Sequence, residues 1–252
     1  VELLHLATLM HDDVVDEAHE RRGFPTINKI WRNKTAIIMG DFVLSQVLTN
    51  LIHLRDFDAL DLISDTAKRL SSGEMLQIER SFKKSMSEEI YFRMVKDKTA
   101  SLIATCCELG VITTSKDKYH QTAARDYGEK LGMAFQIKDD LFDILGATKD
   151  TGKDTNADVS KNMITLPIIH TMSSSLSTVE RRQLRKTLSN GAKRRDVNRL
   201  KEIVFEHGGF DYAKKKLQEF SDQAVSALSP FPDSSYKRSM IDLCLYNVQR
   251  TR

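Results

Sequence analysis

Three aspartates lie within five residues near the start of the chain, in the sequence HDDVVD at positions 11–16. On a helix, Asp12 and Asp16 share one face because they are four residues apart. Their like charges repel each other at that spacing, so the cluster needs a positive partner. Carboxylate oxygens are common Mg²⁺ ligands, and Mg²⁺ usually takes its other ligands from water and phosphate. Arg21 and Arg22 follow, and guanidinium groups bind phosphate oxygens bidentately, so the pattern predicts a site for magnesium and phosphate.

A second copy of the pattern lies in the middle of the chain, in the sequence FQIKDDLFD at positions 135–143. Both copies are surrounded by apolar residues, where carboxylates are costly to bury unless they are paired or bind a metal. A solvated helix end with surface ion pairs would explain one copy, but two copies in this context favour a metal site. We predict two facing triplets that hold divalent ions around a diphosphate, namely Asp12, Asp13 and Asp16 with Asp139, Asp140 and Asp143.

Together these motifs resemble those of the trans-prenyltransferases, the polyprenyl diphosphate synthase family of the all-α isoprenoid synthases. Residues 12–23 are similar to the family's DDxxD and RRG, and residues 135–143 to its FQxxDDxxD. Between them, a GExxQ segment is matched by Gly73, Glu74 and Gln77, and a Lys-Thr pair by Lys98 and Thr99. A GK…D…TLP segment follows, matched by Gly152, Lys153, Asp158, Thr165, Leu166 and Pro167. The resemblance covers about residues 1–172 and is specific because the motifs occur in order.

The resemblance implies which aspartates bind Mg²⁺, for which Mn²⁺ is expected to substitute. The expected direct ligands are Asp12, Asp16 and Asp139. Weaker candidates, expected to act through water or to support the ligands, are Asp13, Asp140 and Asp143.

The resemblance also implies roles in substrate binding and catalysis. Expected contacts with the allylic diphosphate are Lys98, Lys153 and Arg21. Arg22 is the expected contact with isopentenyl diphosphate. Thr99 and Gln136 are expected to steady the carbocation with neutral dipoles. One position departs from the family, because Met163 stands where a lysine is usual, and the sequence leaves open whether Lys161 replaces it.

The composition favours helices over a turn-rich β fold, since the 252 residues include only 4 prolines and 11 glycines. Apolar periodicity predicts helices near 34–54, 58–82, 87–110 and 118–145, a polar loop at 146–162, and four more helices between 177 and 250. We therefore predict a single all-α domain over residues 1–252. The resemblance implies the isoprenoid synthase fold, with helices around a central apolar cavity.

The net charge and the cysteine content limit the kinds of partner and the cellular compartment that the sequence predicts. The net charge of +3 is too small to indicate nucleic acid binding. The three cysteines, Cys106, Cys107 and Cys244, form no CxxC pair. We expect no apolar run of the roughly 18 residues that a membrane span needs, and we predict a cytoplasmic protein without an integral membrane segment. The resemblance suggests a homodimer. The chain begins at Val1 inside a helical pattern, so we expect the family's first helices to precede it.

The sequence predicts an enzyme that condenses isopentenyl diphosphate with an allylic diphosphate. Alternatives are a farnesyl or geranylgeranyl diphosphate synthase, a non-catalytic partner subunit of a heteromeric synthase, a terpene cyclase, and a magnesium-dependent hydrolase. Ala7 lies about one turn before Asp12, where short-chain relatives tend to carry an aromatic ring that blocks the growing chain. A small residue there predicts a product well beyond twenty carbons, of the length of quinone side chains. The alternative is that Ala7 simply packs between helices.

Overall fold

The computed structural model describes residues 1–83, 86–146, 165–189 and 194–251. Its regular structure is almost entirely helical, which confirms the prediction of an all-α fold. The chain divides into two compact units, Val1–Leu70 and Ser71–Arg252. The prediction of a single domain stays a prediction.

The first unit is built on two packed helices, α1 (Glu2–Val15) and α2 (Ile27–Leu54). A small hairpin connects them, formed by β1 (Glu20–Arg21) and β2 (Phe24–Pro25). The buried residues of α1 recur every three positions, at Leu4, Ala7, Met10 and Asp13. Because each three-residue step turns the helix by about 300°, these residues form a buried stripe that winds around α1, and the second aspartate of the first motif lies at its C-terminal end.

The helix α2 is long and apolar enough to cross a membrane by length and composition. This property is weak evidence for a span, because core helices of soluble proteins and signal sequences have the same profile. The helix is also interrupted at Arg32, whose φ is 69°. The prediction of no integral membrane segment is not overturned by this helix.

The helix α3 (Phe57–Lys83) begins in the first unit and ends in the second. It is followed by one nearly continuous helical rod, composed of α4 (Glu88–Val95), a π-helical turn (Lys96–Ala100) and α5 (Ser101–Ile112). The remaining helices are α6 (Lys118–Gly146), α7 (Leu166–Ser173), α8 (Thr178–Ser189), α9 (Arg194–Glu206), α10 (Gly209–Ala227) and α11 (Ser235–Gln249).

The central helix of the second unit is α6, which packs against both α5 and α10. Its C-terminal half contributes Met133, Ala134, Ile137, Leu141 and Ile144 to the main apolar core. The second aspartate motif lies within this half, so its side chains project from a helix that core packing holds on several sides.

Candidate active site

In the first motif, Asp12 and Asp13 lie in the last turn of α1, and Asp16 follows directly after the helix. The carboxylate of Asp13 is buried and forms an ion pair with Arg21. Both Nε and Nη2 of the guanidinium contact Asp13 Oδ1, at 2.8 and 2.7 Å. Asp12 is half-buried and Asp16 is exposed. The structure therefore separates one charge-neutralised aspartate from two that are more accessible.

The Arg-Arg-Gly segment forms the turn of the hairpin. Glu20 pairs with Pro25 and Arg21 with Phe24, so Arg22 and Gly23 lie at the tip. Both tip residues have positive φ, 53° and 84°, as in the two-residue turns that suit β-hairpins. This geometry turns Arg21 toward Asp13 and leaves Arg22 exposed at the tip.

Two polar side chains fix the connection between α1 and the hairpin. Thr26 donates a hydrogen bond to the carbonyl of Ala18 at 2.7 Å. The amide of Asn28 donates to the carbonyls of Ala18 and Asp13, at 2.9 and 3.2 Å. These contacts tie the Asp13 carbonyl in the last turn of α1, which also accepts from the Ala18 backbone amide, to the carbonyl of Ala18 in the connection. They hold the hairpin, and with it Arg21, against the motif.

In the second motif, Asp140 is buried and both of its oxygens accept hydrogen bonds from neutral donors. Tyr91 donates its hydroxyl to Oδ2 at 2.6 Å, and Gln136 donates its amide to Oδ1 at 2.9 Å. Burial is the largest influence on Asp140 and raises its pKa to about 6, although both hydrogen bonds act in the opposite direction. The engaged oxygens suit Asp140 to a positioning role rather than to direct metal ligation.

Thr99 extends this network. Its hydroxyl donates to Gln136 Oε1 at 2.9 Å. Because Gln136 accepts from Thr99 and donates to Asp140, its amide orientation is fixed by its partners. The structure thus brings together Thr99, Gln136 and Asp140, which the sequence places at distant positions. The predicted roles of Thr99 and Gln136 toward the carbocation stay predictions.

Asp139 and Asp143 lie four residues apart on α6, and a cation from the far end of the chain contacts the first of them. Arg250 Nη2 lies 2.5 Å from Asp139 Oδ1. Burial raises the pKa of the Asp143 carboxyl, and the negative charge of Asp139 raises it further. The pair of carboxylates therefore favours a nearby positive charge. Sequence analysis missed Arg250, because no motif or spacing relates it to residue 139.

Lys98 lies in the π-helical turn and is held by the GExxQ segment of α3. Its ammonium group contacts Glu74 Oε2 at 2.5 Å and donates to Gln77 Oε1 at 3.0 Å. Gly73 permits this approach, since a Cβ there would lie 2.5 Å from the backbone nitrogen of Lys98. π-Helical turns are often found at functional sites. The GExxQ segment and the Lys-Thr pair, which are separate in the sequence, are therefore in contact through the side chain of Lys98.

The structure does not test the predicted roles of Lys153 and Ala7. Lys153 lies outside the described residues, as do Lys161 and Met163. Ala7 is 1% exposed in α1, so it is a packed residue here, and its role as a tunnel wall stays a prediction.

The donor set of the two motifs fits Mg²⁺, because it consists of carboxylate oxygens. Within the described residues, no three His, Cys, Asp or Glu side chains converge closely enough to hold a metal by themselves. Mg²⁺ commonly binds through one or two carboxylates together with water and substrate phosphates, so a partial set of protein ligands suffices.

The chain matches the family described as "Polyprenyl synthetase" over residues 1–205. It is 32% identical to an octaprenyl diphosphate synthase of Haemophilus influenzae, across 99% of this chain and 76% of that protein. A decaprenyl diphosphate synthase from Rhodobacter capsulatus has a similar structure, with a TM-score of 0.91, 31% identity, and coverage of 100% of this chain and 77% of that one.

A polyprenyl synthase from Caulobacter crescentus, solved in complex with calcium and isoprenyl diphosphate, is also similar. The TM-score is 0.88 and the identity 30%, with 100% of this chain and 76% of that chain covered.

Proposed function

The chain belongs to the polyprenyl synthetase family and is a prenyltransferase, and from this premise we propose that it condenses isopentenyl diphosphate with an allylic diphosphate. We propose that the product is a long-chain all-trans polyprenyl diphosphate. The observation that carries the proposal is the second motif, where a network of neutral donors holds Asp140 and leaves Asp139 and Asp143 on a more accessible face.

The proposed metal ligands are carboxylates of both motifs, foremost Asp12, Asp16 and Asp139. The main barrier to prenyl transfer is the negative charge that develops on the departing diphosphate. When bound, Mg²⁺ would neutralise that charge. A similar protein was solved in complex with calcium and isoprenyl diphosphate, which supports the proposal that this chain binds a divalent cation and a prenyl diphosphate.

Lys98 is proposed to bind the allylic diphosphate. An ammonium group has three N–H donors, and two of them are engaged by Glu74 and Gln77. These contacts immobilise the side chain, so little entropy is lost when the third donor meets a phosphate oxygen. The fixed positive charge also favours the leaving diphosphate more than the intact substrate, which is the requirement for catalysis.

The Thr99–Gln136 pair is proposed to orient neutral oxygen dipoles near the carbocation. A neutral dipole stabilises positive charge without forming a bond that would trap the cation. Because the hydrogen bonds to Asp140 and Thr99 fix the amide of Gln136, the dipole need not reorganise during the reaction. Arg22 and Lys153 are proposed as further diphosphate contacts on the family resemblance alone.

The product length is tested by incubating the enzyme with labelled isopentenyl diphosphate, an allylic diphosphate and Mg²⁺, followed by chromatography of the dephosphorylated products. We expect chains well beyond twenty carbons, with forty as the central expectation, as in the octaprenyl relative. Products of fifteen or twenty carbons would favour a short-chain synthase instead. Labelled isopentenyl diphosphate that is never incorporated would favour a non-catalytic partner subunit.

Ala7 provides a direct test of how length is set. Ala7→Tyr is expected to shorten the product to about fifteen or twenty carbons. A ring in place of a buried methyl group can also overpack the helix at a cost of about 1–3 kcal/mol, so the unfolding midpoint is measured alongside. A folded, active Ala7→Tyr enzyme with an unchanged product distribution would refute the tunnel assignment.

A homodimer is proposed as the assembly. The first unit exposes large apolar side chains along α2, including Trp31, Ile38, Phe42 and Ile52. Exposed apolar surface of this extent commonly marks an interaction site. Sedimentation of the wild type and of Phe42→Glu tests this assignment: we expect a dimer that the charged variant weakens. A wild-type monomer at micromolar concentration would contradict it.

A further inference from the structure

Arg250 is built into the second motif by several independent contacts. Its guanidinium pairs with Asp139 and donates to the carbonyl of Phe135 at 3.3 Å. The Nε group donates to Asn247 Oδ1 at 3.0 Å. The guanidinium also lies over the rings of Phe135 and Phe142, at 4.6 and 5.2 Å from their centroids. With 13% of the side chain exposed, Arg250 is an integral part of the motif's surroundings.

The backbone at Arg250 allows the side chain to leave without disturbing a helix. Arg250 follows the last residue of α11 and has non-helical dihedrals, φ −53° and ψ 144°. The preceding turn of α11 is fastened separately, because Lys138 donates to the carbonyl of Val248 at 2.7 Å. Withdrawal of the guanidinium therefore requires rotation of one residue at the end of an anchored helix.

The contact with Asp139 is incompatible with metal ligation by the same oxygen. Arg250 Nη2 lies 2.5 Å from Asp139 Oδ1, whereas Mg²⁺ binds carboxylate oxygens at about 2.0–2.1 Å. A divalent ion on that oxygen would lie within about 4.6 Å of the guanidinium nitrogen. At such distances a double and a single positive charge repel strongly. The two cations therefore compete for Asp139 Oδ1.

We propose that Arg250 gates the metal site of the second motif: its guanidinium occupies Asp139 until a divalent cation displaces it, so metal binding at Asp139 and docking of Arg250 exclude each other. This inference rests on the proposed function, since it takes Asp139 as a metal ligand. By linkage, a residue that competes with the metal weakens metal binding by the same factor by which the metal weakens docking of that residue.

The affinity arm of the test uses Mn²⁺ at a fixed concentration of inorganic diphosphate, with free Mn²⁺ followed by its electron paramagnetic resonance signal. Arg250→Gln is expected to bind Mn²⁺ about tenfold more tightly than the wild type, within the range of about 5–150-fold typical of coupled sites. Arg250→Lys keeps the charge but loses the planar stacking, so its affinity is expected to lie between the two. Equal or weaker binding by Arg250→Gln would overturn the proposal.

The matched control is Arg238→Gln, which removes the same charge from an exposed position on α11. It separates competition at Asp139 from a general change in the electrostatic field. We expect the Mn²⁺ affinity of this variant to stay within about twofold of the wild type, because exposed charges at a distance are screened. An equal increase in both variants would overturn the gating role.

The second arm measures docking directly, by the guanidinium Nε–H NMR signal of Arg250, assigned by its loss in Arg250→Gln. Solvent exchange of this proton, which donates to Asn247 in the docked state, is expected to accelerate when Mg²⁺ and inorganic diphosphate are added together, and unchanged or slower exchange would overturn the proposal. Asp139→Asn distinguishes failure of the metal-ligand assignment of Asp139 from failure of the gating role of Arg250. Retention of wild-type Mn²⁺ affinity in Asp139→Asn would refute the ligand assignment itself. Loss of affinity there, with no gain in Arg250→Gln, would refute only the gate.

Discussion

The two aspartate motifs have the same spacing but are supported in different ways. In the first, the middle aspartate, Asp13, is neutralised by Arg21, only eight residues further along the chain. In the second, the middle aspartate, Asp140, is held by uncharged donors, one of them on Tyr91, 49 residues away. The first motif thus takes its counter-charge from its own hairpin, whereas the second depends on the packing of other helices around α6.

This difference shows what a short motif determines and what the fold must add. A nearby arginine stabilises the ionised form of a buried carboxylate. Neutral donors stabilise that form less, so burial still raises the pKa of the carboxyl group. Asp140 shows that cost, since its pKa is raised to about 6 by burial. Both arrangements immobilise the middle aspartate, so the outer aspartates of each motif are the better candidates for metal ligands.

The largest expected effect is that of metal removal, to which both motifs should respond alike. Because each motif offers carboxylate oxygens, turnover is expected to stop when Mg²⁺ is chelated and to return with Mg²⁺ or Mn²⁺. Incorporation of labelled isopentenyl diphosphate measures this directly. Undiminished turnover in chelator would show that neither motif has the role assigned to it.

The next effect concerns stability, where the two motifs should differ. In chelator, the folded-state pKa of Asp140 is about 6, above its ordinary value of 3.8. Between these values the folded protein holds a proton that the unfolded chain has released. The stability of the wild type is therefore expected to fall by up to about 3 kcal/mol as the pH rises from about 4 to 6. Asp140→Asn should lose this pH dependence in urea unfolding.

Asp13→Asn is the matched substitution in the first motif. It removes a charge-assisted contact to Arg21, which is itself partly exposed, so a loss of about 1 kcal/mol at pH 7 is expected. At the same pH, Asp140→Asn is expected to be at least as stable as the wild type, since it removes a buried charge. Parallel pH profiles for the wild type and Asp140→Asn would contradict the distinction between the motifs.

Two glycines that pack against site residues, Gly73 beside Lys98 and Gly40 beside His11, are expected to affect stability to different extents. At Gly73, an added Cβ would meet the backbone of Lys98, which cannot move aside, so Gly73→Ala is expected to cost about 1–3 kcal/mol. At Gly40, the obstacle is the imidazole of His11, which can rotate, so a smaller loss is expected. Gly110 has nothing within 4 Å, and Gly110→Ala serves as the helical control. Thermal unfolding of the three variants tests this order.

Helix content and motif positions could be predicted from the sequence, because both depend on local spacing. The helix carrying the second motif was predicted at 118–145 and is observed at Lys118–Gly146. The helix predicted from about 34 is observed from just after Arg32 to Leu54, and the non-helical φ of 69° and ψ of 165° at Arg32 separate it from a short helical segment that begins at Ile27. The π-helical turn was not predicted, since hydrophobic periodicity does not distinguish it from the flanking α-helix.

The partners of the motif residues could not be predicted, because they depend on tertiary packing. Arg250 lies 111 residues from Asp139, and as a lone arginine near the end of a basic segment it gave no signal. Tyr91 is an ordinary core aromatic in the sequence, and only the structure shows its hydroxyl on Asp140. The family motifs identified side chains that could do chemistry, while the structure identified the residues that orient them.

The most direct test of the central claim is to remove one outer aspartate from each motif and compare the rates of isopentenyl diphosphate incorporation. Asp12→Ala and Asp139→Ala are each expected to reduce kcat/KM by roughly 10²–10³-fold, because each removes a proposed ligand of the Mg²⁺ that would neutralise the leaving diphosphate in the transition state. Asp211→Ala is the control, since Asp211 is exposed on α10 and forms an ion pair with the surface lysine Lys214 at 3.7 Å; it should retain wild-type activity. Wild-type activity in folded Asp12→Ala or Asp139→Ala would contradict the account.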